Sequence, residues 1–144
     1  MRIPIVAGNW KMNLIREEAA ALVEEIRAEV EFFENVEILV CPSFTCLETV
    51  TGTCEGTNIK VGAQNMHWDA GGAYTGEVSP LMLKDIGCEY VVVGHSERRH
   101  KFFESDEIIN KKVKSALEHG IIPIICIGET LEERDSGNAL EVNR

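Results

Sequence analysis

The sequence predicts an α/β chain built on a parallel sheet, and three observations carry that expectation. Five short apolar runs recur along the 144 residues, and each ends in a polar or glycine-containing tip. Segments with helical spacing of apolar residues lie between them. The run Tyr90-Val91-Val92-Val93 has no polar alternation, as a strand covered by helices on both faces requires.

The first run, residues 3–7, leads into Gly8-Asn9-Trp10-Lys11. Ala19, Leu22, Val23, Ile26, Val30 and Phe33 then recur at helical spacing, with Glu17 and Glu18 in the first turn where the helix dipole favours them. Residues 36–41 form the second strand, stopped by Pro42, and a weak helix is expected over 44–50, followed by a Thr/Gly-rich loop over 51–58. The third strand, 59–63, ends in Gln64-Asn65. Residues 66–79 lack periodicity, contain three glycines and carry Trp68 and Tyr74, which read as exposed; a loop of that length is functional or disordered as a rule.

Ser79-Pro80 opens the next helix as N-cap and first residue, with Leu81, Met82, Leu83 and Ile86 as its expected buried face and Gly87 as its stop. The fourth strand runs into Gly94-His95-Ser96-Glu97-Arg98-Arg99, where Ser96 is the expected cap of a short turn whose amide dipoles face His95. Ser105 caps a further helix with Ile109, Val113, Ala116 and Leu117 on one face. Residues 121–127 are the fifth strand, tipped by Gly128-Glu129, and Asn138 reads as the start of a capping-box variant.

Strict alternation of strand and helix implies right-handed crossovers. Two architectures fit: a five-stranded doubly wound sheet, or part of an eight-fold barrel, for which about 250 residues is typical. The last helical pattern reaches Arg144 within about two turns, so the chain is expected to stop in mid-unit.

Composition narrows the function. A balance of 44% hydrophobic and 26% charged residues is globular, and a net charge of −10 without a clustered basic face argues against nucleic acid or an anionic membrane as partner. No run is long enough to cross a membrane. Five cysteines, an odd number without a Cys-x-x-Cys pair and with no signal peptide ahead of them, imply a reduced, cytoplasmic protein whose thiols act mostly as small apolar side chains.

Chemistry gathers at the strand ends. Asn9 with Lys11, Gln64, His95 with Glu97, and Cys126 with Glu129 all fall at or just past them, and parallel geometry puts them on one rim. A lysine, an amide and a neutral imidazole around one cavity suit the stabilisation of a negative oxygen, as in an enolate or enediolate. No Gly-x-Gly-x-x-Gly or P-loop is present, and the histidines lack metal-ligand spacing, so no metal is expected.

Five segments extend this reading: Ala7-Gly8-Asn9-Trp10-Lys11-Met12-Asn13, Gly62-Ala63-Gln64-Asn65, Ala73-Tyr74-Thr75-Gly76-Glu77, Val93-Gly94-His95-Ser96-Glu97-Arg98-Arg99 and Cys126-Ile127-Gly128-Glu129-Thr130. In order and spacing the chain resembles the triosephosphate isomerase family over its whole length. The resemblance implies a parallel (βα)8 barrel, here incomplete with about five strands, so that residues 1–144 are an amino-terminal portion ending at the start of the helix after strand 5. It also implies interconversion of dihydroxyacetone phosphate and glyceraldehyde 3-phosphate through an enediolate, without a cofactor, with a glutamate base and a histidine electrophile kept neutral by a helix N-terminus.

By position, Lys11 would hold substrate and stabilise developing charge with Asn9 beside it, and His95 would polarise the carbonyl. Glu97 would bond Lys11 and shape the pocket, while Arg98 and Glu129 would be scaffold. The 66–79 loop would reach into a second subunit, with Thr75 at the partner's active site, giving a homodimer. The family's catalytic glutamate, lid and phosphate-binding amides would all follow Arg144, so the chain alone is expected to be inactive. The alternative is a non-catalytic α/β binding domain that uses the loop and an open sheet edge for partners.

Overall fold

The computed structural model describes residues 2–143. The expected domain span of 1–144 includes Met1 and Arg144, which lie outside the described residues. Five strands, β1 (Ile5–Asn9), β2 (Glu37–Cys41), β3 (Ile59–Ala63), β4 (Tyr90–Val93) and β5 (Ile122–Ile125), form one parallel sheet in the order in which they occur in the chain. That order decides between the two architectures. A doubly wound sheet reverses its strand order at a switch point, whereas successive right-handed crossovers without reversal put every helix on one side and curl the sheet into an arc of a barrel.

Seven α-helices accompany the strands among the described residues: α1 (Arg16–Val30), α2 (Leu47–Cys54, entered through a 3-10 turn at Phe44–Cys46), α3 (Pro80–Asp85), α4 (Ser96–Lys101), α5 (Asp106–Glu118), α6 (Leu131–Asp135) and α7 (Ala139–Val142). Alternate strand residues feed two cores. Ile38, Val40, Ile59, Val61, Val91 and Val93 pack under α1, α2, α3 and α5 with Val23, Leu47, Val50, Leu83 and Ala116. Leu39, Cys41, Tyr90 and Val92 face the concave side with Ile124 and Cys126. Gly62 belongs to that concave layer because a Cβ there would sit 3.0 Å from the Tyr90 Cβ and 3.1 Å from the Cys41 sulfur.

Several expectations are corrected. β1 starts at Ile5 rather than residue 3, since Pro4 contributes only its carbonyl, to the Glu37 amide, and the ladder with β2 runs on to Asn9 paired with Cys41. α1 ends at Val30, leaving Phe33 exposed. Residues 51–54 are not loop but the second half of α2. The Thr51 and Thr53 hydroxyls donate back to the Leu47 and Thr49 carbonyls, and Cys54 completes a buried stripe with Leu47 and Val50.

On the short α3, only Leu83 and Pro80 reach the core, while Leu81 and Met82 point to solvent. α5 likewise buries Ile109, Lys112, Ser115 and Ala116 and turns Leu117 out. β5 is shorter than residues 121–127, and Trp68 is half-buried. The carboxy-terminal capping box is made by Thr130 and Glu133, not by Asn138, whose side chain bonds Ser136. Among the described residues no helix is long and apolar enough to cross a membrane.

Candidate active site

The carboxyl ends of β1, β3 and β4 open on a cleft of about 370 Å³ whose polar lining includes Asn9, Lys11, Gln64, Asn65, His95, Glu97 and Arg98. Lys11 lies two residues beyond the end of β1, and its backbone is left-handed at φ 56°. A non-glycine residue holds that conformation only where its surroundings over-determine it. Here the Lys11 N–H donates to Asn9 Oδ1 at 3.0 Å, and its carbonyl accepts from Gln64 Nε2 at 2.7 Å. Lys11 Nζ meets Glu97 Oε1 at 3.0 Å, so β1 and α4 are joined across the cleft by an ion pair. The Lys11 ammonium holds the Glu97 carboxyl below the usual carboxylate range, against the partial burial that opposes its charge.

His95 sits where β4 turns into α4. The turn needs Gly94, at φ 72°, where a Cβ would lie 2.9 Å from the Arg99 guanidinium and 3.2 Å from the Cys126 carbonyl. The expected Ser96 cap is corrected: His95 itself caps α4, its Nδ1 accepting the Glu97 N–H at 3.2 Å. A ring nitrogen that accepts a backbone N–H carries no proton, so the ring proton is on Nε2, which is left to donate.

The supporting groups are tied into the fold. Arg99 binds the Gly94 carbonyl, the Cys126 carbonyl and Asp106, joining the tips of β4 and β5 to α5. Arg98 pairs with Glu104, which also takes Lys112 Nζ at 2.6 Å, and Lys112 in turn donates to Asn65 Oδ1 at 2.8 Å. Burial opposes charge on Glu104, but the bonds from Lys112 and Arg98 outweigh it and hold its carboxyl below the ordinary range. Glu129 is bound by Arg134 and Asn143 rather than turned toward the cleft lining. Burial pushes the Cys41 thiol up to about 12, with Cys126 adding to the shift, so Cys41 is a packing group rather than a nucleophile.

The structure therefore brings together Asn9, Lys11, His95 and Glu97. It does not bring Thr75 to them: Thr75 is exposed on the 66–79 loop, outside the lining of this cleft. That loop is ordered by its own contacts, with the His67 ring stacked on Trp68 at 4.1 Å and against Tyr74 at 4.0 Å. Two further findings escape the sequence. Lys112 is 3% exposed although it lies in a lysine-rich stretch, and Gln64 is engaged with the backbone instead of offering its amide to the cavity. Among the described residues no three His, Cys, Asp or Glu side chains converge as a metal site.

A sequentially ordered parallel arc with its polar cluster at the strand carboxyl ends defines a (βα)-barrel protein with a rim site. The particular family follows from comparison. The chain matches the triosephosphate isomerase family over residues 4–144 and belongs to it. It is 57% identical over 142 residues to the triosephosphate isomerase of Alkaliphilus oremlandii, and 55% identical over 142 residues to that of Thermoanaerobacter pseudethanolicus, covering 99% of this chain and 57% of the relative in both cases. The crystal structure of triosephosphate isomerase from Bartonella henselae superimposes with a TM-score of 0.91 at 42% identity, covering 98% of this chain and 58% of that one. The chain thus spans a little over half the length of the relatives it matches.

Proposed function

We propose that these residues serve a triose-phosphate isomerase, which interconverts dihydroxyacetone phosphate and glyceraldehyde 3-phosphate by proton transfer through an enediolate. The observation that carries this reading is the convergence of Lys11, Glu97 and a His95 whose Nε2 holds the ring proton. Removing a proton beside a carbonyl builds negative charge on the oxygen, and a fixed cation and a neutral N–H donor are the groups that stabilise it. Lys11 holds the anionic substrate with Asn9 beside it, and His95 polarises the carbonyl. Glu97 keeps Lys11 in place and is a poor base, because its proton affinity is lowered by that same lysine. It is the only carboxylate lining the cleft among the described residues, which supports the family reading in which a glutamate beyond Arg144 abstracts the proton.

In this reading the 66–79 loop, braced by the His67 ring against Trp68 and Tyr74, projects Thr75 toward the site of a second copy in a homodimer, and the protein works in the cytoplasm. Joining residues 1–144 to the remaining part of the Alkaliphilus oremlandii relative gives a chain in which the reading can be assayed. Steady-state turnover of triose phosphate is expected there, with Lys11→Ala lowering kcat/KM by at least about 10²–10³-fold, as for loss of one preorganised donor. His95→Gln should lower kcat more than it raises KM. Undiminished turnover in the Lys11 variant would overturn the assignment.

A further inference from the structure

We infer that Gln64 is a positioning residue, which holds Lys11 in its left-handed backbone conformation and thereby aims the lysine ammonium at Glu97. The inference rests on the reading above that Lys11 serves the substrate, but its geometry stands independently. Gln64 follows the last residue of β3, and its side chain reaches across to the end of β2 and the residue beyond β1. The ladder of β1 with β2 ends at Asn9 paired with Cys41. The Cys41 carbonyl at the end of β2 takes the Trp10 N–H at 3.0 Å and Gln64 Nε2 at 2.9 Å, while the second Nε2 hydrogen goes to the Lys11 carbonyl at 2.7 Å. The side chain thus acts as an extra rung that ties the carbonyl beyond β1 to the end of β2.

This arrangement also excludes another role. The amide cannot be turned over, since its oxygen would then face two carbonyl oxygens. Both of its hydrogens are already committed, so no donor is left for a developing oxyanion. Its effect on substrate must pass through Lys11, whose φ of 56° costs energy in any non-glycine residue and relaxes when the restraint is lost. Asn9 fixes the N–H of Lys11 and Gln64 fixes its C=O, so the peptide units on both sides of the strained Cα are held.

Nuclear magnetic resonance on the 144-residue chain tests this without any measurement of turnover, so the isomerase reading and this proposal can fail separately. In the unaltered chain both Gln64 side-chain amide protons should exchange slowly with solvent, and the Lys11 carbon shifts should carry the left-handed signature. Free exchange of those protons would overturn the proposal, whatever any variant does. Gln64→Met keeps the length of the side chain and removes both donors. It should abolish the left-handed signature at Lys11 and raise the Glu97 titration midpoint toward the ordinary carboxylate range, as Lys11→Met should. A purely structural role would lower the unfolding midpoint of Gln64→Met while leaving the Lys11 shifts and the Glu97 midpoint unchanged, and that result would also overturn the proposal.

Discussion

The centre of the arc and its two edges are written in nearly the same residues and end up in opposite environments. Leu39 on β2 is 1% exposed and Val91 on β4 is fully buried, whereas Ile5 on β1 is 46% exposed and Ile122 on β5 is 51% exposed. All four are large aliphatics in apolar runs. What separates them is whether a strand has a hydrogen-bonded neighbour on each side. With two neighbours, the curvature of the sheet closes adjacent side chains over one another even on the concave face, which explains why Tyr90 and Val92 are buried there. With one neighbour, half the backbone donors and acceptors and one flank of each side chain stay open. Burial in a parallel sheet is thus a property of strand position as much as of residue type.

The two regions should respond differently to substitution, and the largest contrast is electrostatic. Glu104, 8% exposed, anchors Arg98 and Lys112 behind the centre of the arc. Glu104→Gln leaves the buried Lys112 without its anion and should cost about 3–5 kcal/mol in urea unfolding at pH 7. Removing the exposed Lys60–Glu89 pair should cost at most about 1 kcal/mol. The sign with pH follows from the lowered Glu104 carboxyl. Its contribution is present above the unfolded value of about 4.3 and is lost as pH falls through the folded value. Stability of the unaltered chain should therefore drop on acidification below about pH 4, and Glu104→Gln should flatten that drop.

Next in size is the apolar contrast. Leu39→Ala should cost about 2–5 kcal/mol, because it opens a cavity in a closed layer, while Ile5→Ala on the open edge should cost about 1 kcal/mol or less. Equal costs would mean that β1 is as enclosed as β2. The smallest effect on stability, yet the largest on association, is expected of Ile125→Lys. Ile122, Ile125 and Ile127 expose an apolar β5 edge, and Ile3, Ile5 and Val6 do the same along and beside β1. Sedimentation of the 144-residue chain should show concentration-dependent self-association that this lysine weakens. A monodisperse monomer would remove the basis for the contrast.

Much of this was legible beforehand because it rests on local signals. The strand-to-tip pattern located every strand to within a few residues and put Asn9, Lys11, His95 and Glu97 on one rim. The Ser79-Pro80 and Ser105 caps were readable because capping is a matter of three or four neighbouring residues. What stayed hidden depends on distant partners. Thr51, Gly52 and Thr53 read as loop, since their low helix propensity is offset by the burial of Val50 and Cys54, which requires the sheet beneath. Lys112 resembles its neighbours Lys111 and Lys114 in sequence, and only the folded chain brings Glu104 and Asn65 to it. Gln64 looked like a cavity group until the fold brought the Lys11 and Cys41 carbonyls within reach of its amide.

Residue-resolved hydrogen exchange on the dilute 144-residue chain tests the account most directly. Backbone amides of β3 and β4, which lie between paired strands, should exchange only through global opening, and those of β2 with them. The outward-facing amides of β1 and β5 should exchange orders of magnitude faster, through no opening at all. Uniform protection across all five strands in a dilute monomer would contradict the claim that the centre of the arc is a closed core and its edges are open.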